Sequence, residues 1–179
     1  MSPSIQLILG GARSGKSRYA LQQNGEFPFE QRIFIATAMA ADEEMKNRIQ
    51  RHQKERGTLW MTVEEPYNLT DTVKKTATRE NALVVIDCAT LWISNLLCGM
   101  GGPALSSVEA EIKLGVFVQN LATAKGIVRI VSNEVGLGIV PESVLGREFR
   151  DLQGNFNQQL ASTAHEVVWM TAGLPQKIK

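Results

Sequence analysis

Eight residues near the start of the chain, GGARSGKS, constrain its fold more than any other stretch. They fill every position of the pattern G-x-x-x-x-G-K-[ST], whose backbone surrounds nucleotide phosphates. The apolar run Ile5–Leu9 precedes them and a helix-forming segment, Lys16–Asn24, follows, as that pattern requires. The sequence therefore predicts a strand, a phosphate loop and a helix, the alternative being a glycine-rich turn with an incidental lysine. The predicted phosphate loop consists of Gly10, Gly11, Ala12, Arg13, Ser14, Gly15, Lys16 and Ser17.

Each residue type in this motif has a physical role. Glycines allow successive backbone N–H groups to turn towards phosphate oxygens. Lys16 would reach the β- and γ-phosphates, where its charge is catalytic, and Ser17 would be a ligand of Mg²⁺. The positive end of the following helix adds to the attraction. We therefore expect a nucleotide-binding protein that uses Mg²⁺.

Short apolar runs alternate with longer polar segments along the chain, which predicts right-handed β-α-β units. The expected fold is α/β: a P-loop NTPase with a RecA-like, mostly parallel sheet, helices on both faces and a single nucleotide-binding domain over residues 1–179. The predicted strands are Ile5–Leu9, Arg32–Thr37, Leu59–Glu64, Ala82–Asp87, Ile127–Val131 and Val167–Thr171. The predicted helices are Lys16–Asn24, Asp42–Arg56, Asn68–Arg79, one through Trp92–Leu97, Ser106–Ala124 and Glu142–Ala164, with a flexible break at Gly99–Pro103.

Charge and composition exclude some classes of function. Nineteen basic residues against eighteen acidic ones give a net charge of +1, which argues against broad nucleic-acid binding. No apolar run approaches the length of a membrane span, and the N-terminus lacks the basic region of a signal peptide. We expect a cytoplasmic protein without membrane insertion, in which Cys88 and Cys98 are two buried free thiols.

An acidic residue closes the most apolar strand, ALVVID. Asp87 stands where P-loop enzymes need a carboxylate, to hold Mg²⁺ directly or through water together with Ser17. The alternative is an aspartate that only caps the helix beginning near Thr90.

Two further polar segments are candidates for substrate contacts. In SNEVGLGIVPE, Asn133 and Glu134 follow a strand and could orient substrate groups at the carboxyl edge of the sheet, or they could belong to a structural turn. Arg150 could meet a phosphate, or form a surface pair with Glu148 or Asp151.

One of the two histidines lies on the inward side of its predicted helix. At 100° per residue, His52 shares a stripe with Met45 and Ile49, whereas Arg51 points elsewhere. Such a histidine could be a general base, a phosphate ligand or a nucleophile, or a boundary residue making one hydrogen bond. His165, just before the last predicted strand, is interpreted as structural.

Several segments together resemble a known family. They are GGARSGKSRYA, IATA, DEEMKNRIQRHQKER, W-x-T-V-E, DCATLWISNLL, SNEVGLGIVPE and REFRDLQGNFNQ. In combination they are similar to the bifunctional adenosylcobinamide kinase / adenosylcobinamide-phosphate guanylyltransferase family of cobalamin biosynthesis. The resemblance extends from about Ile5 to Lys179, nearly the whole chain.

The resemblance implies roles for individual residues. His52 matches the histidine that becomes guanylylated in the family. The positions that match its nucleotide contacts, besides the phosphate loop, are Ala36, Thr37, Ala38, Gln53, Lys54, Glu55, Arg56, Glu64 and Asp87.

The chain departs from the family pattern at three positions. It has Arg51-His52 where some members have two histidines, and the retained histidine occupies the nucleophile's place. It has Asp87 where some members have glutamate, so that Mg²⁺ could be held through water. Ala38 lacks a hydroxyl that some members have, which weakens a side-chain role there.

Two reactions follow from the resemblance: phosphorylation of adenosylcobinamide by ATP or GTP, and transfer of GMP from GTP to adenosylcobinamide phosphate. It also implies Mg²⁺ and a homotrimer, with Gly99–Pro103 and the apolar flank near Trp92 as candidate interface segments. One rival hypothesis is an enzyme with kinase activity alone. Another is a RecA-like ATPase that acts on a macromolecular partner.

Overall fold

A computed structural model of the protein describes residues 4–22, 29–40, 43, 46 and 57–179. Its strands are β1 Ser4–Gly10, β2 Gln31–Ala36, β3 Met61–Glu64, β4 Ala82–Asp87, β5 Ile127–Asn133, β6 Glu166–Thr171 and β7 Leu174–Lys177. Its helices are α1 Lys16–Leu21, α2 Leu69–Thr76, α3 Ala89–Cys98, α4 Ser107–Leu121 and α5 Val144–Thr163, with a 3₁₀ turn at Gly57–Leu59.

The seven strands form one sheet in the order β3-β2-β4-β5-β1-β6-β7. All neighbours pair in parallel except β6 and β7, which are antiparallel. The strand that enters the phosphate loop, β1, lies between β5 and β6, and β5 separates it from β4. The predicted mostly parallel α/β sheet is confirmed, and the order brings the carboxyl ends of β1, β4 and β5 together at one edge.

Alternating residues of the strands make two apolar layers, one on each face of the sheet. On one face, residues such as Leu7 and Ile86 pack with the inward sides of α2, α3, α4 and α5. On the other, Ile8 and Val85 pack with Ala20 of α1. Helices on both faces were predicted, and this is confirmed.

Three aromatic rings hold the larger layer together. Trp92 of α3 lies 5.1 Å from Phe117 of α4 and 5.9 Å from Phe156 of α5, centroid to centroid. The Trp92 ring is 0% exposed and its Nε1–H donates to the Tyr67 carbonyl oxygen over 2.9 Å. Trp92 is therefore a core residue, and the candidate interface segment near it stays a prediction.

The predicted flexible break at Gly99–Pro103 is a packed turn. Gly99 ends α3 in the left-handed conformation, with φ of 70°. A Cβ on Gly102 would lie 2.7 Å from the Tyr67 ring, and the Tyr67 hydroxyl donates to the Pro103 carbonyl oxygen over 2.9 Å. Only glycine allows this approach of backbone to ring, so the glycines serve packing rather than flexibility.

The two cysteines differ in burial. Cys88 is buried at the start of α3, as predicted, whereas Cys98 at its last residue is exposed. The prediction for Cys98 is wrong because the apolar composition of α3 does not reveal which side its last turn presents. Within the described part of the chain, no helix is long and apolar enough to cross a membrane.

Candidate nucleotide site

The phosphate loop has the backbone that its glycines predict. Gly10 and Gly15 have φ values of 151° and 96°, a region that side chains rarely adopt. A Cβ on Gly10 would lie 2.5 Å from the Met170 carbonyl oxygen and 2.8 Å from Ser14 Oγ. Substitution of Gly10 would therefore push the phosphate loop away from β6.

Lys16 is folded over its own loop. Its side chain is buried, and its ammonium group donates to the Gly11 carbonyl oxygen over 2.5 Å and to Ser14 Oγ over 3.5 Å. A buried ammonium group is costly unless it has strong acceptors. Phosphate oxygens would offer charged acceptors, which suits this lysine to a nucleotide tail.

A turn at the far end of the chain supports the loop. Gly173, between β6 and β7, donates its N–H to the Ser14 carbonyl oxygen over 3.0 Å. A groove of about 410 Å³ lies between the phosphate loop and this turn, lined by Gly11, Ala12, Arg13, Ser14, Trp169, Met170, Thr171 and Ala172. The strand β7 was not predicted from the sequence, and with it this support of the loop; the dipeptide Ala172-Gly173 between two short runs was the available signal.

The ends of β2 and β4 are tied together beside Asp87. The hydroxyl of Thr37, fully buried, donates to the Cys88 carbonyl oxygen over 2.7 Å and accepts from the Cys88 N–H over 2.8 Å. The Thr37 N–H donates to the Asp87 carbonyl oxygen over 3.2 Å. The hydroxyl of Thr37 thus holds the backbone that carries Asp87, a positioning role that its predicted nucleotide contact did not anticipate.

The Cys88 thiol follows Asp87 at the end of β4. Burial first, and then the Asp87 carboxylate, raise the pKa of this thiol, the Lys16 ammonium is among the groups that lower it, and the net result is a pKa of about 12. Lys16 follows the phosphate loop after β1 and Asp87 ends β4, so both residues lie at the carboxyl edge of the parallel sheet, with β5 between the two strands. A cation and a carboxylate at one sheet edge are what a metal-bound nucleotide tail requires.

The donor set at this edge fits Mg²⁺. The Ser17 hydroxyl and the Asp87 carboxylate would supply oxygen ligands, and Mg²⁺ typically takes one or two protein oxygens, with phosphates and water for the rest. Among the residues described, no group of three or more histidine, cysteine or acidic side chains could hold a metal by itself. The site therefore suits a metal that arrives with a nucleotide.

The end of β5 lies against the phosphate loop. Asn133 pairs with Gly10 across β5 and β1, and the Glu134 N–H donates to the Gly10 carbonyl oxygen over 3.2 Å. The Asn133 N–H donates to the Thr90 hydroxyl over 2.8 Å, and Asn157 Nδ2 donates to the Asn133 carbonyl oxygen over 3.0 Å. These bonds fix the point at which the chain leaves the sheet.

A buried polar cluster, Ser132, Gln153 and Asn157, supports this point. Gln153 Nε2 donates to Ser132 Oγ and to Asn157 Oδ1, both over 2.9 Å, and Ser132 Oγ donates to Asn157 Oδ1 over 2.7 Å. This cluster was not predicted from the sequence. Two amides four residues apart on a helix were the signal.

A family model described as cobinamide kinase / cobinamide phosphate guanyltransferase, CobU, matches residues 6–178. The chain belongs to the CobU family. The bifunctional adenosylcobalamin biosynthesis protein CobU of Escherichia coli is 39% identical over 183 residues, which cover 97% of this chain and 98% of that protein. The bifunctional adenosylcobalamin biosynthesis protein CobP of Pseudomonas aeruginosa is 41% identical over 173 residues, covering 97% and 96%.

Solved structures support the fold of the CobU-family chain. The flagellar accessory protein FlaH of Methanocaldococcus jannaschii superposes with a TM-score of 0.50 at 15% identity, covering 98% of this chain and 78% of that one. At that identity the likeness concerns the fold alone. It agrees with the P-loop architecture predicted from the sequence.

The structure also locates four other residues of this CobU-family chain that were singled out from the sequence. Glu64 ends β3 on the exposed edge beside Ala36, and Ala38 is half-buried just after Thr37. The Arg150 Nε lies 3.4 Å from Asp151 Oδ1, which matches the surface-pair alternative. His165 Nδ1 accepts the Ile5 N–H over 3.1 Å, so its structural interpretation is confirmed.

Part of the expected site lies outside the described residues. This applies to His52, to Gln53, Lys54, Glu55 and Arg56, and to the predicted helix Asp42–Arg56 apart from Glu43 and Lys46. Their assigned roles stay predictions.

Proposed function

We propose that this protein phosphorylates adenosylcobinamide with ATP or GTP, and then transfers GMP from GTP to adenosylcobinamide phosphate through a guanylyl-histidine at His52. The product is adenosylcobinamide-GDP. The observation that carries the proposal is the family match over residues 6–178, and the formed phosphate loop supports it.

In the kinase step the acceptor hydroxyl oxygen attacks the γ-phosphorus, the bond from that phosphorus to the β-bridging oxygen breaks, and the hydroxyl proton is released. Lys16 and the loop N–H groups would stabilise the charge on the transferring group. Ser17 and Asp87 would hold Mg²⁺, which when bound supplies neutralisation of phosphate charge. Thr37 holds the backbone on either side of the Asp87–Cys88 peptide, from which the Asp87 carboxylate extends.

In the second step an imidazole nitrogen of neutral His52 attacks the α-phosphorus of GTP, and pyrophosphate leaves. A phosphoramidate forms between histidine and GMP. An oxygen of the adenosylcobinamide phosphate then displaces the histidine, which leaves readily once protonated. The phosphate loop suits the departing pyrophosphate because its donors already surround the β and γ groups.

The family resemblance also supports a homotrimer in the cytoplasm as the working form. Sedimentation equilibrium of the purified protein would measure its mass. A monomer at micromolar concentration would contradict this part of the proposal.

Labelling of the protein itself tests the guanylyl-histidine. Incubation with Mg²⁺ and GTP radiolabelled at the α-phosphate should leave acid-labile, alkali-stable label on the protein, because phosphoramidates have that stability. His52→Ala should remove essentially all of this label. The matched control is His165→Ala, the other histidine of the chain, which should keep it.

Three outcomes separate the alternatives. Label that persists in His52→Ala contradicts the assignment of the nucleophile. Phosphorylation of adenosylcobinamide without any protein label supports a kinase alone. Nucleotide hydrolysis that responds to nucleic acid or protein but not to cobinamide supports an ATPase with a macromolecular partner.

A further inference from the structure

We propose that a groove between the loop after β5 and the outer face of α5 binds the corrin ring of the acceptor. The groove has a volume of about 540 Å³ and is lined by Gly136, Arg150, Asp151, Gly154, Asn155 and Gln158. This inference rests on the proposed function and names where its second substrate sits. None of the nucleotide contacts implied by the family resemblance falls among these residues.

The groove begins next to the phosphate loop. Gly136 stands two residues after Glu134, whose N–H donates to the Gly10 carbonyl oxygen over 3.2 Å. Glu134 Oε1 accepts the Gly136 N–H over 3.0 Å, which holds the turn between them. A ring bound along α5 would thus have one edge near the phosphate loop, where its hydroxyl-bearing arm must reach the terminal phosphate.

The lining matches the chemistry of an amide-rimmed ring. Asn155 and Gln158 are exposed on α5, and each offers an amide donor and an amide acceptor. The carboxamide arms of a corrin present the same two kinds of group, so amide pairs can form along the rim. Arg150 adds further donors beside them.

Glycine leaves room for a flat, bulky ligand. A Cβ built on Gly154 would have no atom within 4 Å, although the residue lies in the interior of α5. A side chain introduced at Gly154 would therefore extend into the groove rather than into packed protein.

Apolar side chains stand beside the polar groove. On the loop after β5, Leu137, Ile139 and Val140 are 80%, 97% and 56% exposed. The loop is anchored at both ends: by Asn133 on one side, and by Arg147 Nη1, which donates to the Pro141 carbonyl oxygen over 3.1 Å, on the other. An apolar segment between fixed ends fits the methyl-bearing edge of a corrin, next to amides that fit its arms.

A bulky substitution at Gly154 tests the groove. Gly154→Gln should fill it without harming the fold, because the site is open and glutamine favours helix over glycine. We expect the KM for adenosylcobinamide to rise about tenfold or more, and the Kd for cobinamide, measured by its visible absorbance, to rise in parallel. The KM for ATP and guanylylation of the protein by GTP alone should stay within about twofold.

The chain offers a matched control in α4. Gly115 is also an interior helical glycine with no atom within 4 Å of a built Cβ, and it lies outside the groove. Gly115→Gln should therefore leave both KM values unchanged. The double variant Asn155→Ala/Gln158→Ala removes the two amides without adding bulk, and should also raise the KM for adenosylcobinamide alone.

The results distinguish this inference from the proposed function. A wild-type protein that neither phosphorylates nor binds cobinamide overturns both. An active wild type, with corrinoid KM unchanged in Gly154→Gln and in the double alanine variant, overturns only the groove. An equal rise in the KM for ATP, or an altered oligomeric state with normal corrinoid KM, assigns the groove to another role and overturns the inference.

Discussion

Cys88 and Cys98 lie at opposite ends of α3 and differ in burial, which governs the reactivity of a thiol. The Cys88 sulfur accepts the Leu91 N–H over 3.4 Å as the cap of the helix, and burial beside Asp87 raises the pKa of this thiol from 9.0 to about 12. Cys98 is exposed. A thiolate is the reactive species, so Cys88 remains protonated and inert at neutral pH.

We predict one fast and one slow thiol in the native protein. With a disulfide reagent at pH 8, Cys98 should react at least about a hundredfold faster than Cys88. Cys98→Ser should abolish the fast phase, and denaturant should make both sites reactive. Two native thiols with similar rates would contradict the burial of Cys88.

At the same scale, sequence reasoning identified single residues where their chemistry is local. The phosphate loop could be predicted because its residues are contiguous and because Gly10 and Gly15 adopt positive φ values that the motif requires. The role of the Thr37 hydroxyl could not be predicted, because its partner Cys88 is 51 residues away in the chain. The cluster of Ser132, Gln153 and Asn157 left only the signal of two amides four residues apart on α5, because Ser132 comes from a different element.

The hairpin of β6 and β7 shows which helices and strands can be predicted from the sequence and which cannot. Long apolar or periodic segments were predicted with small errors at their ends, whereas β7, LPQK, was not predicted at all. It is a short edge strand containing Pro175, and its residues are exposed, so neither alternation nor apolar content marks it. Its pairing depends on the turn at Ala172 and Gly173, with φ values of 50° and 83°.

The turn gives a prediction on stability. Ala172 holds a left-handed conformation that costs roughly 1 kcal/mol for a residue with a Cβ. Ala172→Asn should increase the free energy of unfolding by up to about 1 kcal/mol, because asparagine tolerates this region. Ala172→Val should decrease it by about 1–2 kcal/mol because β-branched residues do not. Urea unfolding measures both, and the same sign of change in the two variants would contradict the turn.

At the scale of the whole molecule, the larger of the two apolar layers lies between the sheet and helices α2 to α5. The rings of Trp92, Phe117 and Phe156 meet there at centroid distances of 5.1 to 6.0 Å. Alternating segments predicted a layered parallel sheet. They did not predict the strand order. The chain forms β2, β3 and β4 before it places β5 beside β1, and the segment pattern does not indicate where each crossover ends.

Truncation of Phe117 should show how much this layer contributes to the stability of the fold. Phe117→Ala should lower the free energy of unfolding by about 3–5 kcal/mol, through lost burial and the cavity left between three helices. Its neighbour Val116 is 43% exposed, and Val116→Ala should cost well under 1 kcal/mol. Comparable losses in urea unfolding of the two variants would contradict the packing described.

The position of β1 between β5 and β6 has a consequence for synthesis on the ribosome. Ile5 pairs with Val128, and Leu7 pairs with Val167, so β1 gains both neighbours only after β5 and β6 have been made. The nascent chain must carry an unpaired, apolar IQLIL segment until those strands emerge, and such a segment is prone to self-association. The phosphate loop lacks its supports from β5 and β6 until then, so we expect nucleotide to assist folding only after β6 has been synthesised.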